Sequence, residues 1–232
     1  MGHIRMLSDR GLYQLLAWMS PAYPTGAFSY SHGLEWAVEE GTVADVEQLV
    51  AFVDAVLGRG GGWIDAVLFV QAWRAARASD ASLDAIAELG VAFRGTSETA
   101  LESRQQGAAF LEITRQTWPH PVIDRFVRRH ADQEVAHSVV VALACSAHDV
   151  ALQPALHAYL QGLAANLISA GMRLIPLGQT DGQRAVVRML PIIADVAEQA
   201  LNSDLEDLGT ACPLLERCSA LHETQYSRLF RS

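Results

Sequence analysis

The stretch that decides the fold is Pro154-Ala-Leu-His-Ala-Tyr-Leu-Gln-Gly-Leu-Ala-Ala-Asn-Leu-Ile-Ser-Ala-Gly171. This spacing of apolar residues, every three or four positions, places them on one face of an α-helix. Proline fits the first turn of a helix and glycine commonly follows its last turn. We therefore expect a long amphipathic helix between these two residues. Its apolar face consists of Leu156, Leu160, Leu163, Leu167 and Ile168.

The same helical period continues outward in both directions, and no convincing strand alternation or internal repeat interrupts it. The sequence predicts an all-α fold: a single compact domain over residues 1–232 with about nine to eleven helices. Residues 209–232 are less periodic and form a C-terminal tail. The first expected helix follows a cap at Asp9 and carries Leu12, Leu15, Leu16 and Met19 on one face. A short helix is expected over 31–40, and a capping box at 42–45 opens the next one. Further helices are expected at roughly 63–79, 82–94, 97–117, 121–129, 132–149 and 183–202.

Three details of this pattern make specific structural predictions. Gly60-Gly61-Gly62 predicts a loop, and Pro191 predicts a kink or division of the last long helix. The segment 132–149 is apolar on most sides, which indicates a central helix. Gly107 interrupts an otherwise good helix, so it marks either the close approach of another segment or an ordinary weak position.

The composition excludes several classes of enzyme. The 232 residues include 17 Lys+Arg and 26 Asp+Glu, which gives a formal charge of −9. Every one of the basic residues is arginine. Without lysine there can be no Walker A phosphate loop and no Schiff-base or pyridoxal-phosphate chemistry. We therefore expect no nucleotide hydrolysis and no cofactor, and the acidic balance argues against a nucleic-acid partner.

The cysteine content and the N-terminal sequence indicate a cytoplasmic protein. An odd, low number of cysteines (three) is no disulfide framework and suits a reducing compartment. The first ten residues show no apolar stretch typical of a secretory signal. The longest apolar run, 139–147, is too short to cross a bilayer, so no membrane association is expected.

Two groups of residues could in principle bind a late first-row metal such as nickel. His130, Glu134 and His137 share one face if a single helix continues through Asp132. Cys212, Cys218 and His222 form a C-x5-C-x3-H spacing, which matches no common structural zinc pattern. The ordinary alternatives are a polar helix stripe and buried, inert cysteines, and we assign no metal site.

Residues 24–35 combine flexible backbone positions with hydrogen-bonding and aromatic side chains, which is typical of a shaped surface loop. The alternative is a polar interhelix loop in which Phe28 fills the core. Ser29 and His32 also raise the possibility of a hydrolase, but the chain has no G-x-S-x-G elbow and no strand to hold one. The candidate partner-binding residues here are Pro24, Gly26, Phe28, Ser29, Tyr30 and Glu35.

The C-terminal end carries the residue types that usually anchor interfaces. In a helix, Tyr226, Leu229 and Phe230 would share one face, flanked by Arg228 and Arg231. Such a segment can order on a partner, or it can dock on its own domain. The candidate partner-binding residues of this end are His222, Glu223, Tyr226, Arg228, Leu229, Phe230 and Arg231.

Four stretches, in order and spanning almost the whole chain, resemble the urease accessory protein UreF family. They are Ser20–Glu35, Glu102–Gly107, Ser169–Gln183 and His222–Ser232. The resemblance implies an all-α protein, commonly a homodimer, without catalytic activity. It also implies that the tail becomes ordered in an assembly with partners.

The resemblance further implies a role in urease maturation. Family members join the accessory protein UreD, also called UreH, on apo-urease and recruit the GTPase UreG, which carries nickel. Nucleotide chemistry in a partner agrees with a chain that has neither lysine nor a phosphate loop. The alternative function is a nickel-binding metallochaperone that uses its own His/Glu or Cys/His residues.

Overall fold

The computed structural model describes residues 7–131, 133–210 and 212–232, and over these the chain is all-α, which confirms the predicted fold class. The described residues contain eleven α-helices and two single-turn 3-10 helices, at Ala27–Ser29 and Leu205–Asp207. The α-helices are α1 (Asp9–Trp18), α2 (Leu34–Glu39), α3 (Val46–Arg59), α4 (Gly61–Ala78), α5 (Asp80–Ala92), α6 (Ser97–Thr117), α7 (Pro121–Arg129), α8 (His137–Ala147), α9 (Leu152–Leu174), α10 (Gln179–Asn202) and α11 (Pro213–His222).

Helices α4 and α8 form the centre of the bundle. α4 packs against α3, α5, α8, α9 and α10, while α8 packs against α4, α5, α6, α7 and α9. Every residue of α8 from Ser138 to Ser146 is buried. The prediction that this apolar segment lies at the centre is therefore confirmed, because a helix enclosed on all sides has no polar face to present to water.

Five of the eleven described α-helices (α1, α3, α5, α6 and α7) begin where a polar side chain accepts from a free backbone N–H group of the first turn. Ser8 rather than Asp9 caps α1, so the predicted start of this helix was one residue late. Asp45 rather than Thr42 caps α3, so the predicted start of that helix was three residues early. Of the predicted apolar face of α1, Leu15 and Met19 pack against the core and the other two residues do not. Leu15 is buried with Trp18, whereas Leu12 and Leu16 are exposed.

The glycine triplet forms a corner between two helices rather than a loop. α3 ends at Arg59 and α4 already begins at Gly61. A Cβ on Gly60 would lie 3.1 Å from the carbonyl oxygen of Val56, and one on Gly62 would lie 2.8 Å from the Cα of Leu57. Gly60 and Gly62 are needed because the two helices turn into each other without any spacer, so the predicted loop was wrong.

The predicted helix 132–149 begins five residues late, at His137. The preceding segment lies across α6 at Gly107, where an added Cβ would be 3.0 Å from the backbone nitrogen of His137 and closer still to the carbonyl oxygen of Val135. Gly107 therefore marks a close approach of the chain's own backbone. Since α7 ends at Arg129 and α8 begins only at His137, no single helix carries the three residues His130, Glu134 and His137. They do not share a helix face, which this candidate metal site required. Asp132 lies outside the described residues.

Near the C-terminus the structure is more helical than expected. α10 begins at Gln179 and continues to Asn202 with Pro191 inside it, so this proline does not divide the helix. The predicted tail contains α11, which ends at His222. None of the helices that the structure describes combines the length and apolar character needed to span a lipid bilayer.

Candidate functional site

The last ten residues, 223–232, form a non-helical segment that lies against α2, α6 and the loop before α2; we call this segment the strap. Because the strap is not helical, its three apolar anchors do not share a face. Tyr226 and Leu229 are exposed, whereas Phe230 is buried. The strap therefore presents some side chains to solvent while its backbone is held by the domain.

Glu35, on α2, holds the centre of the strap. One carboxylate oxygen accepts from the backbone N–H of Leu229 at 2.7 Å, and the other accepts from the N–H of Phe230 at 2.9 Å. The second oxygen also lies 3.1 Å from Nε2 of His222. Charge-assisted hydrogen bonds are stronger than neutral ones, so a carboxylate that accepts from two backbone N–H groups fixes the strap firmly.

Glu98, on α6, forms a second contact with the same end of the chain. Its carboxylate lies 2.9 Å from Nδ1 of His222 and accepts from Nη1 of Arg228 at 3.1 Å. Burial raises the pKa of Glu98, and the contacts with His222 and Arg228 only partly offset this. His222 is fully buried between the two carboxylates, so both of its ring nitrogens are occupied.

The end of the strap contacts the turn at Ser31. The N–H of Ser31 donates to the carbonyl oxygen of Ser232 at 2.7 Å, and the N–H of Arg231 donates to the carbonyl oxygen of Ser29 at 2.8 Å. The hydroxyl of Ser232 donates to Glu102 of α6 at 2.9 Å. These contacts join the chain's last residues to a loop roughly two hundred positions earlier in the sequence.

Arg173, on α9, joins the strap to the loop before α2 by stacking. Its guanidinium carbon lies 3.7 Å from the ring centroid of Phe28 and 4.4 Å from that of Phe230. Its two terminal nitrogens each donate to the carbonyl oxygen of Phe28 at 3.1 Å. A guanidinium between two aromatic faces gains from both ring quadrupoles, so Arg173 stabilises the loop and the strap together.

A cavity of about 500 Å³ lies beneath this loop. Residues 18–28 form one wall of it without a gap in the sequence. Residues of α3, α4, α6, α8, α9 and α11 form the other walls. The volume is within the range of small-molecule sites, although the walls combine aromatic and charged groups.

The polar side of the cavity is built around a buried ion pair between α4 and the segment that joins α5 to α6. Arg94 donates to Asp65 at 2.7 Å, and the hydroxyl of Tyr159 donates to the other oxygen of Asp65 at 3.1 Å. Burial alone would raise the pKa of Asp65, but Arg94 outweighs it and holds the pKa below its usual range. Burial lowers the pKa of the neighbouring His137 to about 4, so this imidazole is neutral at physiological pH.

His32 and Glu102 connect the cavity to the strap. Nε2 of His32 lies 2.9 Å from one oxygen of Glu102, whose other oxygen accepts from Ser232. Burial acts to lower the pKa of His32, but the Glu102 carboxylate outweighs it and the net pKa is raised. His32 has a φ of +55°, a left-handed conformation that is uncommon outside glycine.

The predicted partner-binding residues fall into three groups. Phe28, Tyr226 and Leu229 are exposed, so the interpretation of Phe28 as a core residue is wrong. Glu35, Tyr30, His222 and Phe230 are buried and hold the strap or its surroundings. The remaining ones, Pro24, Gly26, Ser29, Glu223, Arg228 and Arg231, lie on the loop or the strap.

The two candidate metal sets are engaged in other contacts. Nε2 of His130 lies 3.5 Å from Asp84, and Glu134 pairs with Arg104. His222 is enclosed by Glu35 and Glu98, and burial raises the pKa of the Cys218 thiol. Within 7–131, 133–210 and 212–232, no group of three or more His, Cys, Asp or Glu side chains could hold a metal ion.

Comparisons with known proteins show the family of this chain. Residues 43–190 match the UreF family model. The chain is 49% identical over 225 residues to a protein of Granulibacter bethesdensis, covering 97% of this chain and 95% of the relative. The chain belongs to the UreF family. A second relative, from Bradyrhizobium diazoefficiens, is 46% identical over 232 residues, covering 100% of this chain and 96% of that protein. Both relatives of the UreF family are named urease accessory protein UreF.

Several residues that build this site were not predicted from the sequence. Arg173 was not singled out, because its role depends on contacts between distant segments. Asp65 did give a signal, since a lone acid within the apolar run of 63–70 predicts a buried charge that needs a partner. The sequence alone could not name that partner as Arg94.

Proposed function

We propose that this chain is a non-enzymatic scaffold in urease maturation. In this proposal it joins the accessory protein UreD, also called UreH, on apo-urease, and it recruits the GTPase UreG for nickel insertion. It acts in the cytoplasm as a homodimer. Membership in the UreF family, whose relatives are named urease accessory proteins, supports the maturation role.

The observation that carries the proposal is the arrangement of the strap. Its backbone and Phe230 are held by Glu35 and Arg173, while Tyr226 and Leu229 extend into solvent. Exposed aromatic and aliphatic side chains beside arginines are the usual anchors of a protein interface. Phe28 is exposed on the loop that the strap contacts, so it adds to the same apolar surface.

Co-purification with apo-urease, UreD and UreG tests the proposal. Tyr226→Ser combined with Leu229→Ser removes exposed apolar area without touching a buried contact, so we expect a folded protein that no longer assembles. Val187→Ser on α10 removes an equally exposed apolar side chain elsewhere and is the matched control. Normal assembly and normal urease activation by the double variant would show that the strap is not the partner surface.

Deletion of residues 222–232 gives a coarser test of the same surface. We expect the helical core to remain folded and ternary assembly to be lost. Truncated protein that still activates urease in cells would contradict the assignment. That the tail orders on partner binding stays a prediction, since the structure describes the chain without its partners.

A further inference from the structure

His222, the last residue of α11, lies between two carboxylates that belong to different helices. Its Nε2 lies 3.1 Å from Oε2 of Glu35 on α2, and its Nδ1 lies 2.9 Å from Oε2 of Glu98 on α6. The imidazole is fully buried, and both carboxylate side chains are at most 8% exposed. Because bulk water does not reach the ring, each ring nitrogen has a carboxylate as its hydrogen-bond partner.

This arrangement fixes the number of protons that the three side chains hold together. A neutral imidazole carries one N–H and can donate to only one of the two carboxylates. The other ring nitrogen of His222 would then direct its lone pair at a carboxylate oxygen, which is a repulsive contact at these distances. One additional proton removes the repulsion, either on the second ring nitrogen or on a carboxyl group.

The surroundings of the two carboxylates indicate where this proton lies. Glu35 meets only donors, because its two oxygens accept from two backbone N–H groups of the strap and one of them also faces Nε2 of His222. Glu98 faces Nδ1 of His222 and accepts from Arg228. Burial raises the pKa of Glu98, which favours its protonated form. The additional proton is therefore held on Nδ1 of His222 or on Glu98.

We propose that Glu35, His222 and Glu98 form a buried proton-binding site, and that docking of the strap is linked to the uptake of one proton. Histidine and glutamate side chains in water lose their protons at about pH 6.5 and 4.3. Above pH 6.5 the separated groups thus hold one proton fewer than the docked ones. The docked strap is then most stable below pH 6.5 and less stable as the pH rises.

Other charged groups around the proton site do not replace this proton. Arg228 donates to Glu98 at 3.1 Å and favours the ionised carboxylate, whereas the negative charge of Glu223 acts in the opposite direction. Glu39 of α2 and Glu102 of α6 bind other partners. None of these groups donates to the second ring nitrogen, so the count of protons stays the same.

The ionisation state of the site can be observed directly in the isolated chain. Nitrogen-15 spectra of histidine-labelled protein distinguish an imidazolium, which has two N–H groups, from a neutral ring. Carbon-13 spectra of the carboxyl groups report on Glu98, and Glu98→Gln assigns both signals because it removes one and shifts the other. At about pH 7.5 we expect an imidazolium at His222 or a protonated Glu98. A neutral ring beside an ionised Glu98 would overturn the proposal.

Hydrogen exchange measures the linkage between this proton and the strap. The backbone N–H groups of Leu229 and Phe230 donate to Glu35, so their protection from exchange reports on docking. After correction for the intrinsic pH dependence of exchange, we expect the protection to fall by up to about tenfold per pH unit above pH 6.5, the slope for one proton. Protection that does not change with pH in the parent would show that docking takes up no proton.

Glu98→Gln separates the proton from the contacts of this side chain. Its amide nitrogen can donate to Nδ1 of a neutral His222 while its oxygen accepts from Arg228. We therefore expect the strap to stay docked and its protection to lose the pH dependence. Glu206→Gln removes an exposed carboxylate of the second 3-10 helix and is the matched control, with the slope of the parent. Equal slopes in the parent and in Glu98→Gln would contradict the assignment.

Both measurements use the isolated chain, so their outcome is separate from a failure of co-purification. If Glu98→Gln does not fold, the spectra and the exchange of the parent still decide the question. Only the extension to partner binding, through Tyr226 and Leu229 of the strap, rests on the proposed function.

Discussion

Nε2 of His222 and Oε2 of Glu35 lie 3.1 Å apart, although 187 positions separate the two residues in the sequence. The imidazole is fully buried and the carboxylate nearly so. Glu35 also holds two backbone N–H groups of the strap, so one side chain on a six-residue helix joins the end of α11 to the centre of the strap.

Removing the negative charge of Glu35 is therefore expected to destabilise the protein. In Glu35→Gln an amide replaces one acceptor oxygen, and its N–H₂ faces groups that are themselves donors. We expect the free energy of unfolding to fall by about 3 kcal/mol, as for other buried charge pairs that lose one partner. Denaturant unfolding measures the change. Glu88→Gln, on the exposed side of α5, is the control and should stay within about 0.5 kcal/mol of the parent.

The contact at Gly107 gives a second prediction. Gly107→Ala would place a methyl group against the backbone at Val135 and His137, which cannot move aside as a flexible side chain can. We expect destabilisation of at least about 2 kcal/mol, despite the better helix propensity of alanine. Gly61→Ala, where an added Cβ meets nothing within 4 Å, should be neutral or slightly stabilising. Similar thermal midpoints for the two variants would contradict this packing.

The buried pair of Arg94 and Asp65 gives a graded prediction. Arg94→Met leaves the Asp65 carboxylate buried without its cation, so we expect a loss of roughly 3–5 kcal/mol. Tyr159→Phe removes one neutral hydroxyl from the same carboxylate and should lose only about 1 kcal/mol. Urea denaturation of both variants checks the order. A larger loss from Tyr159→Phe than from Arg94→Met would contradict it.

His137 should make the protein sensitive to acid. Its pKa is lowered to about 4 in the folded protein, so between pH 6.5 and 4 the unfolded chain binds the additional proton. Stability contributed by the neutral imidazole is thus present above pH 6.5 and lost as the pH falls. The expected loss is about 3 kcal/mol by pH 4, from 1.36 kcal/mol per unit. The difference in unfolding free energy between the parent and His137→Phe, measured over this pH range, separates the titration of His137 from that of the carboxylates.

His32 should change the stability with pH in the direction opposite to His137. Because its pKa is raised in the folded protein, the stability of the His32–Glu102 pair is fully present below the unfolded pKa of 6.5. It is lost as the pH rises through the folded pKa. The difference between the parent and His32→Gln should therefore shrink on the alkaline side. A difference that stays constant between pH 6 and 9 would show that this pair does not titrate.

Local sequence signals predicted the bounds of a helix well where no tertiary contact altered its ends. The bounds of α6 and α7 agree with the predicted 97–117 and 121–129, because Thr96 caps one helix and Pro121 begins the other. The prediction failed where tertiary contacts decide the conformation. His137 begins α8 late because the preceding backbone lies against Gly107. In the non-helical strap, Glu35 binds the N–H groups of Leu229 and Phe230, a contact that no helical period predicts.

The candidate site was predicted only in part for the same reason. Aromatic and arginine residues near the C-terminus indicated an anchor, and Tyr226 and Leu229 do lie in solvent. The depth at which His222 and Phe230 are buried depends on Glu98 and Arg173, which are far away in the sequence. Periodicity carries no information on such pairs, because it describes neighbours along one helix.

The strap is recognised mainly through its main chain. Glu35 binds the N–H groups at positions 229 and 230, Ser29 binds the N–H at 231, and Ser31 binds the carbonyl oxygen at 232. Most side chains could change at positions 229 and 231 without loss of these bonds, so both positions are free to evolve toward a partner's surface. Proline is the exception, since it has no N–H to donate.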